Sequence, residues 1–155
     1  MSEPQASTDV EPAAVVVDFL RALARSDLDT ALSLVTEDLV YMNVTLPTIR
    51  GRARLERLAR PILRPGRMGF DVRIHHIATE GNVVLTDRTD ELNVGRFAAR
   101  FWVYGRFVVR GGRIAVWRDS FDWLDVTIGN LRGLAGMALP ALNRRMPVTP
   151  GRWTA

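Results

Sequence analysis

Three short segments set polar side chains among apolar ones in a way that could support acid–base chemistry. They are Tyr41-x-Asn43, Arg88-x-Asp90 and Trp117-Arg118-Asp119. Side chains of a β-strand alternate between its two faces, so residues two apart share a face. In AVWRDSFDW, residues 115–123, Asp119 therefore lies on the same face as Trp117 and Phe121, whereas Asp122 falls on the other face or in the turn that follows. We expect Asp119, and not Asp122, to point inward.

An inward carboxylate needs a partner, because an unpaired buried charge is costly. Arg88 is the natural partner for both Asp90 and Asp119. Two ionised carboxylates with one guanidinium would leave a net charge of −1 in a low dielectric, so the cheaper state keeps one carboxyl protonated. A carboxylic acid beside a carboxylate can protonate one atom and deprotonate another. Alternation alone also allows plain ion pairs at a sheet edge, with Tyr-x-Asn as a strand end.

Other kinds of catalytic site find little support in the composition. The chain contains no Cys, which excludes disulfides, thiol nucleophiles and Cys-ligated metals. His75 and His76 are the only histidines, and alternation predicts that they point to opposite faces and share no ligand. We expect them to be structural or surface residues. There is no HExxH-type spacing, so we expect no metal site.

Length and charge set broad limits on the class of protein. The chain has 155 residues, enough for one domain, and its 47% hydrophobic and 25% charged residues are typical of a soluble globular protein. No apolar run approaches the ~20 residues of a membrane span. The acidic, Pro-containing start is unlike a secretory signal, so we expect a cytoplasmic protein. All basic residues are Arg and they are dispersed, which argues against nucleic-acid binding.

The periodicity of the chain predicts helices first and strands afterwards. Val16, Leu20 and Leu23 form one stripe of a helix over residues 12–27, with Pro12 near its start. The pattern then predicts a helix over 27–38 capped by Asp27, a strand over 38–47, a helix over 49–66 broken at Pro61, strands over 69–79, 83–93, 96–110 and 113–121, and a Gly-weakened helix over 125–145. We expect a single domain over residues 11–145, a disordered tail over 1–10 and a loose tail over 146–155.

This order of elements indicates an α+β fold in which helices cover one face of a largely antiparallel sheet. A curved sheet closed by helices forms a cone with an internal pocket. Such a pocket suits a small apolar ligand.

The five polar residues in order resemble the limonene-1,2-epoxide hydrolase family. The likeness extends over most of the chain, through FLRALARSD, ALSLVTEDLVYMN with the L-P that follows, and GGRIAVWRDSFDW. It implies a cone-shaped, curved mixed β-sheet with N-terminal helices packed into its mouth (cystatin-like/NTF2-like), usually in a homodimer. It also implies one-step hydrolysis of an epoxide to a vicinal diol with no cofactor.

Position by position, the resemblance assigns a role to each residue. Asp119 would be the general base that activates water, and Tyr41 and Asn43 would hold that water by hydrogen bonds. Asp90 would be the acid that protonates the epoxide oxygen. Arg88 would bridge both carboxylates and help to set their protonation states.

The substrate is less constrained than the chemistry. The segment LRGLAGMALPAL, residues 131–142, is rich in small and flexible residues, so we expect a pocket mouth that admits a bulky apolar epoxide, sterol-like or fatty-acid-like. The same fold also hosts isomerases, dehydratases and non-catalytic small-molecule binders, and these remain alternatives. A binder would typically lose one or more of the five polar positions, all of which this sequence retains.

Overall fold

Helices and strands follow one another in nearly the order that the sequence predicts. The computed structural model describes residues 11–143 and 146–147. The elements are α1 Pro12–Ala24, α2 Leu28–Ser33, β1 Val35–Asn43, β2 Ile49–Arg50, α3 Arg52–Ala59, β3 Gly69–Glu80, β4 Val83–Val94, β5 Phe97–Arg110, β6 Arg113–Ser120, α4 Trp123–Ala138 and a 3-10 turn over Pro140–Leu142. The predicted tail over 1–10 and most of the one over 146–155 lie outside the described residues, so the domain limits stay predictions.

The six strands form one open, curved sheet in the order β2-β1-β6-β5-β4-β3. Strands β1 and β6 run parallel, and all other neighbours are antiparallel. Register shifts interrupt the β1–β6, β3–β4 and β5–β6 ladders, and such irregularities bend a sheet. The predicted α+β fold with a curved mixed sheet is confirmed.

Helix α1 fills the concave face of this sheet. Its predicted stripe of Val16, Leu20 and Leu23 is buried, and Phe19 meets the ring of Trp117 edge-on at 5.0 Å between centroids. Each such side chain removed from water contributes about 1.5–3 kcal/mol. This packing holds the N-terminal helix in the mouth of the cone, as predicted.

Helices α2 and α3 are shorter than predicted, and residues next to them belong to strands instead. Helix α2 begins at the predicted cap, where Asp27 Oδ1 accepts a hydrogen bond of 3.0 Å from the Thr30 amide, but it ends at Ser33. Val35, which is β-branched and fully buried, starts strand β1 and pairs with Ile114 of β6. The predicted helix over 49–66 is likewise limited to α3, because residues 49–50 pair with β1 as the short strand β2 and Gly51 turns the chain with a φ of 87°.

Helix α4 lies along an edge of β5 and not on a face of the sheet, which corrects the prediction that the helices cover one face. Strand β6 ends at Ser120, opposite Tyr104, so the first half of β5 has no strand partner on that side. Helix α4 takes this place, and the Asp125 carboxylate accepts a hydrogen bond of 2.8 Å from the Trp102 amide. An exposed edge that could pair with another chain is thereby covered.

Glycines let α4 approach this edge closely. A Cβ at Gly129 would lie 2.5 Å from the Arg100 carbonyl oxygen, and one at Gly133 would lie 2.8 Å from that of Ala98. Gly129 and Gly133 are four residues apart in the helix, and their contacts Arg100 and Ala98 are two residues apart in the strand. Both separations are about 6–7 Å, so the two elements stay in register. Gly133, which we expected at the pocket mouth, packs against β5 instead.

The side chains of His75 and His76, both in β3, lie on the same face of the sheet, so the prediction of opposite faces is wrong. The β3–β4 ladder shifts register between Ile74 and His76, which breaks the alternation. His75 Nε2 lies 2.9 Å from Thr89 Oγ1, and His76 Nδ1 lies 3.0 Å from Asp87 Oδ2. Within residues 11–143 and 146–147, no three His, Asp or Glu side chains are grouped so as to hold a metal ion, and no helix is long and apolar enough to cross a membrane.

Candidate active site

The five predicted residues come together on the concave side of the sheet. The parallel register of β1 and β6 sets Tyr41 beside Trp117 and Asn43 beside Asp119. Strand β5 separates β6 from β4, which carries Arg88 and Asp90. The three charged residues of the set are almost fully enclosed, with exposures of 0% for Arg88 and 5% each for Asp90 and Asp119.

The guanidinium of Arg88 bridges the two carboxylates. Its Nε donates to Asp90 Oδ1 at 2.8 Å, and its Nη2 donates to Asp90 Oδ2 at 3.1 Å. The same Nη2 lies 2.8 Å from Asp119 Oδ1, although Oδ1 lies off the N–H direction, so this contact is an ion pair without an aligned hydrogen bond. Asp90 is therefore held in a two-point fork, whereas Asp119 is held at one point.

Burial and the contacts within the trio shift the pKa values of Asp90 and Arg88. Loss of solvation raises the pKa of Asp90 to about 6; the charge and hydrogen bonds of Arg88 oppose this rise, and the charge of Asp119 adds to it. Burial disfavours the charged guanidinium, but the carboxylates of Asp119 and Asp90 outweigh it and raise the pKa of Arg88. Arg88 thus stays charged at every working pH, while Asp90 holds a proton far more readily than an aspartic acid in water.

Tyr41 and Asn43 form a hydrogen-bonded pair next to Asp119. Asn43 Nδ2 donates to the Tyr41 hydroxyl oxygen at 2.6 Å. The Tyr41 ring stacks on Trp117, with centroids 3.9 Å apart and planes 29° apart. Burial, and after it the negative charge of Asp119, raise the pKa of Tyr41, so the hydroxyl keeps its proton and can donate it in a hydrogen bond.

Two residues that the sequence analysis did not single out touch the far side of Arg88. Thr86 Oγ1 accepts a hydrogen bond of 3.1 Å from Arg88 Nη1. Gly105 leaves the space that this nitrogen occupies, since a Cβ there would overlap Nη1 and lie 2.5 Å from Thr86 Oγ1. The Phe107 ring lies beneath the guanidinium, 5.9 Å from Cζ to its centroid. The glycine at position 105 could have indicated this contact, because a glycine inside a strand often marks a place where another group approaches the backbone closely.

Aromatic rings connect the carboxylates with the protein surface. Phe101 pairs with Asp90 across β4 and β5, and its ring centroid lies 6.0 Å from that of Phe121. Phe121 in turn meets Trp123 edge-on at 5.2 Å, and Trp123 Nε1 donates to Thr45 Oγ1 at 2.8 Å. The surroundings of the charged trio are thus largely apolar, which strengthens its electrostatic interactions.

Comparison with known proteins shows the family of this chain. The family model of the limonene-1,2-epoxide hydrolase catalytic domain matches residues 10–132, a range that includes all five polar residues. The chain is 47% identical over 124 residues to the epoxide hydrolase EphG of Mycobacterium tuberculosis, covering 80% of this chain and 82% of that protein.

Solved structures extend the comparison to the fold. A limonene-epoxide-hydrolase-like epoxide hydrolase from M. tuberculosis superposes with a TM-score of 0.82 at 44% identity, covering 87% of this chain and 95% of the other. An NTF2-like protein from Cytophaga hutchinsonii superposes with a TM-score of 0.61 at 18% identity, covering 75% and 94% of the two chains. The second likeness concerns the fold alone, and it agrees with the predicted NTF2-like architecture.

Proposed function

Since the chain belongs to the limonene-1,2-epoxide hydrolase family, we propose that it adds water to an apolar epoxide in one step. The product is a vicinal diol, formed by general acid–base catalysis with no covalent intermediate and no cofactor. The observation that supports this most strongly is the bridge from Arg88 to two buried carboxylates, Asp90 and Asp119. Such a trio holds an acid and a base in one apolar site.

Asp119, Tyr41 and Asn43 would hold the attacking water. Because Asn43 Nδ2 donates to the Tyr41 oxygen, the Tyr41 O–H can donate to the water and Asn43 Oδ1 can accept one of its hydrogens. Asp119 accepts the other hydrogen and takes that proton as the water oxygen attacks an epoxide carbon. One lone pair of the water then points at the substrate.

Asp90 would complete the reaction as the general acid. As the carbon–oxygen bond breaks, Asp90 gives its proton to the epoxide oxygen and becomes a carboxylate. Asp119 has gained a proton in the same step, so the trio carries the same total charge before and after. The next turnover requires that proton to return from Asp119 to Asp90, and Arg88 stabilises either arrangement since it contacts both carboxylates.

The acid role of Asp90 predicts a pH dependence of the reaction. Activity falls at high pH as this acid loses its proton. With the pKa of Asp90 at about 6, kcat/KM should decline above pH ~6.

The proposed substrate is apolar, and its size follows less directly from the chain. The half-buried rings of Phe101 and Phe121 beside the carboxylates favour an apolar epoxide. A bulky substrate, sterol-like or fatty-acid-like, remains our expectation from the segment over 131–142. Gly133 and Gly136 give it little support, because they pack against Ala98 and Asn143.

We also propose a cytoplasmic homodimer that binds no nucleic acid. The dimer comes from the family resemblance, and the outer face of the sheet offers a surface for it. This face carries three apolar side chains that are each at least half exposed, Leu85, Trp102 and Tyr104, and such apolar patches are typical of interfaces.

Sedimentation of the wild type and of Trp102→Glu tests the proposed dimer, since a dimer through this face should dissociate in the variant. An unchanged dimer would place the interface elsewhere.

A diol-formation assay on epoxides of increasing size tests the proposed function. We expect turnover of apolar epoxides without added metal or cofactor. Higher activity on terpene-sized than on bulky epoxides would contradict the expected substrate size. No turnover across the series would contradict the function and favour an isomerase or a binding protein.

Single-turnover hydrolysis in 18O-labelled water tests the absence of a covalent intermediate. The label should appear in the diol, and peptide mass spectrometry should find none in Asp90 or Asp119. Label in either carboxylate would indicate an ester intermediate.

A further inference from the structure

We propose that Thr86 and Gly105 are positioning residues that hold the guanidinium of Arg88 between the two carboxylates. The inference rests on the proposed function, because it concerns how the acid and the base of that reaction are arranged. Neither residue would touch the substrate. Both would act through Arg88, from the side of the guanidinium opposite to Asp90.

Three corners of the guanidinium are held by three different partners. Nε and Nη2 face Asp90, Nη2 also faces Asp119, and Nη1 donates to the Thr86 hydroxyl. The fork to Asp90 alone would let the guanidinium tilt about that carboxylate. The Thr86 contact removes this freedom, since it fixes the corner farthest from the fork.

Thr86 is well suited to this task. Thr86 is 3% exposed, so little water is present to replace its hydroxyl as the acceptor for Nη1. Its side chain is β-branched, which restricts χ1 rotation in a strand. It lies two residues before Arg88 on the same face of β4, which brings the two side chains together through strand geometry alone. If the hydroxyl were replaced by a methyl group, a buried N–H would be left without this acceptor, which is unfavourable.

Gly105 supplies the space in which the guanidinium reaches Asp119. Strand β5 lies between β4 and β6, and Gly105 pairs with Thr86 on one side and with Asp119 on the other. Any larger residue would put a Cβ where Nη1 lies. The absence of a side chain at this one position lets an arginine of β4 contact a carboxylate two strands away.

The position of the Arg88 guanidinium determines how strongly its positive charge acts on Asp90 and on Asp119. Arg88 lowers the pKa of Asp90 against the effect of burial, so a guanidinium that moves away lets that pKa rise further. Since Asp90 is the proposed acid, the high-pH limb of activity should then move to higher pH. The contact of Nη2 with Asp119 should loosen as well, which misplaces the base and lowers kcat.

The main test compares Thr86→Val with Thr86→Ser, which keeps the hydroxyl. We expect Thr86→Val to lower kcat roughly tenfold at a nearly unchanged KM. The midpoint of the activity decline at high pH should move up by about half a pH unit. Thr86→Ser should stay close to the wild type. Thr89→Val is the matched control, because it makes the same change on the outer face of the same strand and should leave kcat and the limb unchanged.

A second readout needs no substrate. In protein labelled with 13C at aspartate carboxyl groups, the Asp90 signal, assigned by its loss in Asp90→Asn, can be titrated by NMR. Its midpoint should rise in Thr86→Val and in Gly105→Ala but not in Thr89→Val. If Thr86→Val fails to fold, Thr86→Ala also removes the hydroxyl and adds no contact.

These measurements separate the inference from the proposed function. An unmoved Asp90 midpoint in folded Thr86→Val and Gly105→Ala overturns the positioning role. The positioning role is also overturned if Thr86→Val loses kcat without a shift in its high-pH decline of activity and Thr86→Ser does not recover kcat. That pattern indicates a merely structural contact. If the wild type opens no epoxide while the Asp90 midpoint still rises in Thr86→Val and Gly105→Ala, the proposed function is overturned and the positioning of Arg88 stays supported.

Discussion

The two faces of strand β4 carry similar residue types in different surroundings. The inner face presents Thr86, Arg88 and Asp90, all 5% exposed or less. The outer face presents Asp87 and Thr89, which are partly exposed. Each face therefore has an aspartate and a threonine within one short stretch, and each aspartate has a basic neighbour.

The outer aspartate is as well hydrogen-bonded as the inner one. Asp87 accepts a hydrogen bond from Trp102 Nε1 and lies 3.0 Å from His76 Nδ1, but the His76 side chain is 84% exposed. Solvent around this group weakens its interactions. Hydrogen-bonding partners alone do not make an acid–base site. What distinguishes Asp90 is its removal from water, which raises its pKa to about 6.

The largest expected difference between the faces is in catalysis. Asp119→Asn and Asp90→Asn should each lower kcat about a thousandfold, because an amide is neither the base nor the acid that the reaction needs. Asp87→Asn, the matched change on the outer face, should retain nearly full activity. Rates of diol formation under saturating epoxide measure this. Full activity in both inner variants would contradict the mechanism.

The chain's two tyrosines allow a smaller comparison of the same kind. Tyr41→Phe removes the hydroxyl that would donate to the attacking water, and we expect a loss of roughly tenfold because Asn43 and Asp119 still hold that water. Tyr104→Phe on the exposed outer face should have no effect on kcat. Equal activity of both variants would remove Tyr41 from the proposed water site.

The pH dependence of stability should also differ between the faces. The native pKa of Asp90, about 6, lies above the unfolded value of about 3.9, so its contribution to stability is full below pH ~4 and is lost as the pH rises through 6. Asp90→Asn should flatten this decline by up to about 1.4 kcal/mol per pH unit. Denaturant unfolding at pH 4 to 7 measures it. Curves for Asp90→Asn and the wild type that stay parallel would contradict the raised pKa.

The smallest expected effect concerns the exposed histidine. His76→Ala should change the free energy of unfolding by less than about 0.5 kcal/mol and should leave kcat unchanged, because solvent already surrounds the ring. Thermal unfolding and the diol assay check both values. A large loss of activity would mean that the outer face contributes to catalysis.

Much of the candidate site could be predicted from single strands. Alternation gave Asp119 an inward direction beside Trp117, and the structure buries both. It also separated Asp122, whose carboxylate accepts from the Leu124 amide as the cap of α4. Alternation works here because β4 and β6 keep a regular pleat through the site.

Other features needed knowledge of neighbouring strands. The bulge in β3 sets His75 and His76 on one face, and no residue type in that segment announces it. The close approach of α4 to β5 depends on where β6 ends, so its glycines could not be interpreted from the helix alone. Thr86 and Gly105 belong to different strands, and only their pairing brings both to Arg88.

The sequence by itself determined that Arg88, Asp90 and Asp119 face inward and that one arginine would serve two carboxylates, because strand periodicity and the cost of buried charge act locally. The tertiary structure decided how that arginine reaches Asp119. Its guanidinium crosses β5 at Gly105 and is held on its far side by Thr86. That arrangement depends on the register of three strands, and register results from the packing of the whole sheet.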